Sequence, residues 1–113
     1  MDVGLDDFAG DEEYLQGLRR GLDAIFRGFK PRLVFYLAGA DPFEQDQLGT
    51  LRVSKAGLRR RDQMVFAACR GADVPVAVVL AGGYSPDVND VVDIHFTTAQ
   101  ELCQSFQAES SAL

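Results

Sequence analysis

Two short segments hold residue types that could do chemistry. The first, Ala38-Gly-Ala-Asp-Pro-Phe-Glu-Gln-Asp-Gln-Leu-Gly-Thr50, carries the carboxylates Asp41, Glu44 and Asp46. The second, Leu80-Ala-Gly-Gly-Tyr-Ser-Pro-Asp87, sets Tyr84 after the glycine pair Gly82-Gly83. Hard carboxylate oxygens such as those of Asp46 can ligate a metal cation. A phenol hydroxyl can hydrogen-bond an oxyanion as it develops. Glycines beside such groups let backbone and ring approach a substrate closely. Each residue also has a plainer reading. An aspartate in a turn commonly bonds its own backbone, which suits Asp41. A tyrosine after two glycines can cover a core edge, and paired glycines can serve a tight turn. Residue types alone leave both readings open.

Several other chemistries are excluded by composition. His95, in Asp93-Ile-His-Phe96, is the only histidine. It falls in a helical pattern away from both segments, so a packing role is expected and no His-rich metal site can be built. Neither GxGxxG nor a Walker loop is present. Arg59-Arg60-Arg61 reads as a solvated basic helix face. With 17 acids against 11 bases the net charge is -6, which gives no footprint for direct nucleic-acid binding. Cys69 and Cys103 form no CxxC and sit in apolar helical patterns, so both read as buried, reduced thiols. A length of 113 residues, 47% hydrophobic and 25% charged, suits one globular domain. No run of apolar residues is long enough to span a membrane. The acidic start, MDVGLDDFAGDEE, is unlike a leader, and a cytoplasmic location is expected.

The elements that must position the two segments follow from periodicity. Tyr14, Leu18, Leu22, Ile25, Phe26 and Phe29 recur at helical spacing and predict a helix over about 12–29, with Asp11 as its cap and Pro31 as its stop. Residues 1–10 read as a surface lead-in. Leu33–Leu37 is a short unbroken apolar run and predicts a strand. Ser54 caps a second predicted helix that reaches Arg70, with Leu58, Val65 and Cys69 inward and Gly71 ending it. Val74–Leu80 is a second apolar strand. A third helix is expected over 88–106, with Val88, Val91, Val92, Ala99, Leu102 and Phe106 inward, before a frayed tail, QAESSAL.

The order helix–strand–helix–strand–helix makes an α/β fold with parallel strands. Strands apolar on both faces belong in a sheet covered on both sides. Two strands leave both edges open, so the chain reads as part of a three-layer αβα parallel sheet that continues beyond it, or as a domain that associates. In such sheets ligands bind at the carboxyl ends of the strands, which is where Asp46 and Tyr84 fall.

At these loops the sequence resembles a known family. Leu33-Val-Phe-Tyr-Leu-Ala-Gly-Ala-Asp-Pro-Phe-Glu-Gln-Asp-Gln-Leu-Gly49 is similar to the strand and AGADPxxxDxLG loop of the histone deacetylase family. That family lies in the zinc-dependent arginase/deacetylase superfamily, with bacterial acetoin-utilisation and class IV-like deacetylases. Pro75–Tyr84 resembles its GGGY loop, with Ala81 at the first glycine. Gly10–Leu15, Ser54–Asp62 and Val92–Phe96 resemble further family segments in the same order.

The resemblance implies that Asp46 is a zinc ligand and that Tyr84 hydrogen-bonds the substrate carbonyl and stabilises the tetrahedral intermediate. Asp41, Gly82 and Gly83 would shape the loops. It implies Zn2+ as cofactor and acetylated lysine or a small acetylated amine as substrate. The family's Asp-x-His ligand pair and its two consecutive catalytic histidines have no counterpart in this chain. The chain is therefore expected to be an incomplete, C-terminal portion of a deacetylase domain, inactive alone. The alternative is a non-catalytic remnant that associates, with itself or with an N-terminal partner chain, through an exposed strand edge. A weaker third reading is a receiver-like module binding Mg2+ or phosphate through Asp41 and Asp46.

Overall fold

The computed structural model describes the backbone of residues 1–111 and side chains through Gln107. The order is α1 (Asp11–Gly28), β1 (Val34–Ala38), α2 (Lys55–Gly71), β2 (Val76–Leu80) and α3 (Val88–Ser111). This is the expected α/β succession. The tail expected to fray is instead helical backbone as far as Ser111, and residues 112–113 lie outside the described residues.

Helix α1 starts with Asp11, Glu12 and Glu13 in its first turn, where the positive end of the helix dipole favours them. Gly10 occupies the cap position and makes no side-chain cap. Asp11 was expected there, but its carboxylate is engaged elsewhere. It accepts the Ser54 backbone N–H at 2.7 Å and the Ser54 hydroxyl at 2.5 Å. Ser54 in turn accepts the Gly57 N–H at 3.0 Å and caps α2 as predicted. The starts of the two helices are thus tied together. Residues 1–10 are likewise more than a lead-in. The Phe8 N–H donates to the Thr50 carbonyl and the Arg52 N–H to the Ala9 carbonyl, and Ala9 is buried.

β1 and β2 pair in parallel, with Val34 opposite Val76 and Ala38 opposite Leu80. Val34, Tyr36, Val76 and Val78 face a cluster built on Val65, Phe66, Cys69 and Val74, to which α1 adds Leu18 and Phe26 and α3 adds Leu102 and Phe106. A second cluster, Ala40, Phe43, Val53, Leu58 and Ile94, lies under the loop after β1. Both form from the inward stripes of α2 and α3. The opposite sheet face is bare. Phe35 is 64% exposed and Leu37 68%, with Leu33 and Val79 beside them also exposed. One helical layer and the sheet are therefore present, and the strands' second apolar face has no cover among the described residues.

Helix α3 turns differently from the expectation. Its buried positions are Ile94, Thr98 and Glu101, flanked by Val91, Leu102 and Phe106, whereas Val88, Val92 and Ala99 are exposed. Cys103 is also exposed; only Cys69 is the buried thiol expected.

The basic run is a solvated face only in part: Arg59 and Arg60 are exposed, and Arg61 is not. Arg61 is only 4% exposed, and Arg59 pairs with Glu101 at 2.6 Å. Arg61 Nε donates to Asp62 Oδ1 at 3.1 Å, and its Nη2 lies 3.0 Å from the same oxygen without hydrogen-bond alignment. Asp62, fully buried, also accepts the Tyr36 hydroxyl at 2.5 Å and the Thr98 hydroxyl at 2.6 Å. The polar residue at the middle of α3 is thus a partner for a buried acid, as such acids require. Polar bonds through this one carboxylate join β1, α2 and α3.

Candidate functional site

Both loops leave the carboxyl ends of the strands side by side. The Ala81 N–H donates to the Ala38 carbonyl at 3.4 Å and the Ala40 N–H to the Gly82 carbonyl at 2.7 Å. The first loop turns tightly, with the Phe43 N–H donating to the Ala40 carbonyl and the Asp46 N–H to the Phe43 carbonyl. Phe43 is buried and bridges to Val53. Anchoring its ring in the core swings the following turn inward, and Asp46 is buried as a result.

Among the described residues, the Asp46 carboxylate is held by backbone alone. Oδ1 accepts the Leu48 N–H at 2.9 Å and the Gly49 N–H at 2.8 Å. Oδ2 accepts the Tyr84 N–H from the other loop at 2.7 Å. The Gln47 N–H also donates to the Tyr84 carbonyl. Burial opposes the charge on Asp46. The N–H groups of Tyr84, Gly49 and Leu48 outweigh it and hold the carboxyl below the usual carboxylate range.

A cleft of about 410 Å3 opens between the loops, lined by Asp41, Asp46, Leu48, Gly49, Ala81, Gly82 and Tyr84. Of the six residues singled out in the sequence, Asp41, Asp46, Gly82 and Tyr84 meet there, and Glu44 is exposed outside the lining. Gly83 lies beneath the cleft: an added Cβ would stand 2.8 Å from the Ala40 Cβ and 3.5 Å from Val91. Its lack of a side chain lets the two loops close on each other. Gly82 contributes its carbonyl to the Ala40 N–H, and a Cβ added to it would stand 3.9 Å from the Tyr84 ring, an ordinary contact.

Tyr84 is 59% exposed, and its hydroxyl has no hydrogen-bond partner among the described residues. Asp41 is exposed too, and its carboxylate makes no hydrogen bond among them. The turn-type bonding expected of Asp41 belongs instead to Asp46, which bonds the N–H groups two and three residues on. Asp41 shapes the loop through close approach: its carboxylate lies over Gly39, and its carbonyl is 2.6 Å from where a Cβ on Gly49 would sit. Gly39 and Gly49 are loop-shaping residues that the sequence reading left out, although both lie within the quoted loop. His95 sits on α3 outside the cleft lining, its Nδ1 buried without a partner among the described residues.

Residues 1–99 match the family model for the histone deacetylase domain. The chain belongs to the histone deacetylase family. It is 41% identical over 95 residues to an uncharacterised protein of Picosynechococcus, covering 84% of this chain and 32% of that protein. It is 40% identical over 73 residues to histone deacetylase 2 of Arabidopsis thaliana, covering 65% of this chain and 19% of that one. The fold is similar to the acetylpolyamine aminohydrolase of Burkholderia pseudomallei, with a TM-score of 0.77 at 16% identity, over 91% of this chain and 28% of that one. The fold is consistent with part of an αβα arginase/deacetylase-like architecture. The chain spans a third or less of these relatives' lengths.

Histone deacetylase-family enzymes are generally metal-dependent. Among the described residues, no group of three or more His, Cys, Asp or Glu side chains is placed to hold a metal ion. Catalytic zinc centres take three protein ligands. The residues present therefore do not make a metal site by themselves, and Asp46 is a single oxygen donor.

Proposed function

We propose that this chain is the C-terminal part of a zinc-dependent deacetylase that hydrolyses acetyl-lysine or a related acetylated amine, and that it is inactive as an isolated polypeptide. The observation that carries this reading is the bond from the Tyr84 N–H to Asp46 Oδ2 at 2.7 Å. It fixes a buried carboxylate and an exposed, unpartnered phenol on opposite lips of one cleft. Asp46 would supply one oxygen ligand, the other two coming from polypeptide outside the described residues. A metal there would polarise the amide carbonyl and activate water. Tyr84 would donate its hydroxyl proton in a hydrogen bond to the carbonyl oxygen as charge builds on it. The products are the free amine and acetate. His95 is outside the cleft and has no part in this scheme, so the general base is also supplied from elsewhere.

The test is an assay of the purified chain with zinc and acetyl-lysine peptides. Turnover by the chain alone that is lost in Tyr84→Phe would overturn the predicted inactivity. Turnover that appears when the chain is co-expressed with the rest of a family domain, and is lost in Asp46→Ala, supports the assignment. The absence of turnover there, in a complex shown to form, counts against it.

The bare sheet face favours a second reading, a non-catalytic association module. Parallel sheets are covered on both faces, and Phe35 and Leu37 are left open. Size-exclusion chromatography separates the two readings: a stable homodimer through this face favours the module, and a monomer that takes up the rest of the domain favours the enzyme.

A further inference from the structure

We propose that Arg61, from the middle of α2, is the positioning residue that sets the two site loops against each other. The inference rests on the deacetylase reading for its purpose, and on geometry alone for its content.

Arg61 Nη1 donates to the Gly39 carbonyl at 2.6 Å. Gly39 is the first residue beyond β1. The same peptide unit ends in the Ala40 N–H, which donates to the Gly82 carbonyl of the second loop at 2.7 Å. A peptide is planar, so its carbonyl and N–H cannot be oriented separately. A guanidinium that fixes the carbonyl therefore aims the N–H. It also polarises the peptide and strengthens the bond the N–H makes. The chain of bonds runs from Arg61 through one peptide to Gly82, two residues before Tyr84. The Asp46–Tyr84 bond then closes the far side of the cleft.

Stability is a weak reason to keep such a group. A buried ion pair is often matched or bettered by apolar residues of similar volume. Arg61 is nonetheless buried, with Asp62 as counter-charge and the Tyr36 ring 5.6 Å beneath its guanidinium carbon. Asp62 is itself clamped by Tyr36 and Thr98. What a fork-shaped cation achieves here, and a hydrocarbon could not, is to face Asp62 with one edge and the Gly39 carbonyl with the other. Lysine offers a point charge and cannot span both.

The test reads backbone amides of the isolated chain by NMR, without metal, partner or turnover. The double variant Arg61→Met with Asp62→Leu removes the pair without stranding a charge. Val65→Ala, a core truncation on the same helix, is the control for general loosening. The expected result is that the Ala40 and Tyr84 amide signals shift in the double variant and exchange about tenfold faster relative to β2 amides, while Val65→Ala leaves that ratio unchanged. Arg61→Lys reads the same amides and is expected to behave like the double variant, which keeps the test open should the double variant not fold. Unmoved Ala40 and Tyr84 amides in a folded Arg61 variant, or equal movement in Val65→Ala, overturn the proposal. Failure of the deacetylase reading would leave these amides where they are, so the two are separable.

Discussion

The Tyr84 backbone N–H donates to Asp46 Oδ2 at 2.7 Å. The acid that lines the cleft is therefore also the staple between the two loops that form it. Tyr84 is carried on a peptide held by a charged acceptor, while its side chain stays exposed. Charge-assisted bonds of this kind are shorter and stronger than neutral ones.

Asp46→Asn is expected to lower stability by about 1–3 kcal/mol at neutral pH, because an amide nitrogen cannot replace the oxygen that accepts from a buried N–H. The effect depends on pH. The Asp46 pKa is depressed in the folded chain, so its stabilisation is present above the ordinary carboxylate value of about 4. It is lost as pH falls through the lower folded value. Chemical denaturation of both proteins across that range checks this: the gap between them should close on acidification.

Tyr84→Phe is expected to leave the chain's stability unchanged within about 0.5 kcal/mol, since the hydroxyl has no partner to lose. In a completed, active enzyme the same change should lower kcat by about 10²–10³-fold, as removal of an oxyanion donor does. A thermal melt and a kinetic assay read the two effects independently.

Tyr36 is expected to ionise later than an ordinary phenol. Burial raises its pKa strongly; Arg61 works against this, and the neighbouring Asp62 adds to it. Because the folded value is raised, Tyr36 contributes stability that is full below the ordinary phenol pKa of about 10 and declines as pH climbs beyond it. Ultraviolet titration of wild type and Tyr36→Phe should show the late-ionising phenol disappear. Tyr36→Phe should also cost about 1–3 kcal/mol by removing one donor from the buried Asp62.

The double variant Phe35→Ser, Leu37→Ser should cost the isolated chain little, about 1 kcal/mol or less, because both side chains already face solvent. It should abolish association through the bare sheet face and reduce binding of a hydrophobic dye. Sedimentation and dye fluorescence check both; an unchanged association constant would exclude this face.

The topology and the cleft were legible in the sequence for a physical reason. Apolar runs as short as Val34–Ala38 and Val76–Leu80 fit strands better than helices, and parallel strands place their ligand loops at one end. Asp46 and Tyr84 therefore converge once the strands pair. Arg61 was not legible as a buried residue. Three successive arginines suggest solvent, yet Leu58, Arg61 and Val65 follow one helical stripe, and the adjoining Asp62 could have signalled a paired, buried cation. The α3 face was misread because a stripe judged by hydrophobicity favoured Val88 and Val92 over Thr98. Thr98 is inward for its hydroxyl, which Asp62 needs and no periodicity reveals.

The parallel pairing of β1 with β2 also dictates a sequence of events in time. No turn links the strands, and the first loop and all of α2 separate them. Closing so long a stretch costs chain entropy before any ladder bond is made. Helix α2, whose contacts begin within its own turns and whose Val65 and Phe66 belong to the cluster against which Val34 and Val76 pack, is expected to be the template on which the two strands pair. Refolding should accordingly show helical signal ahead of the ladder.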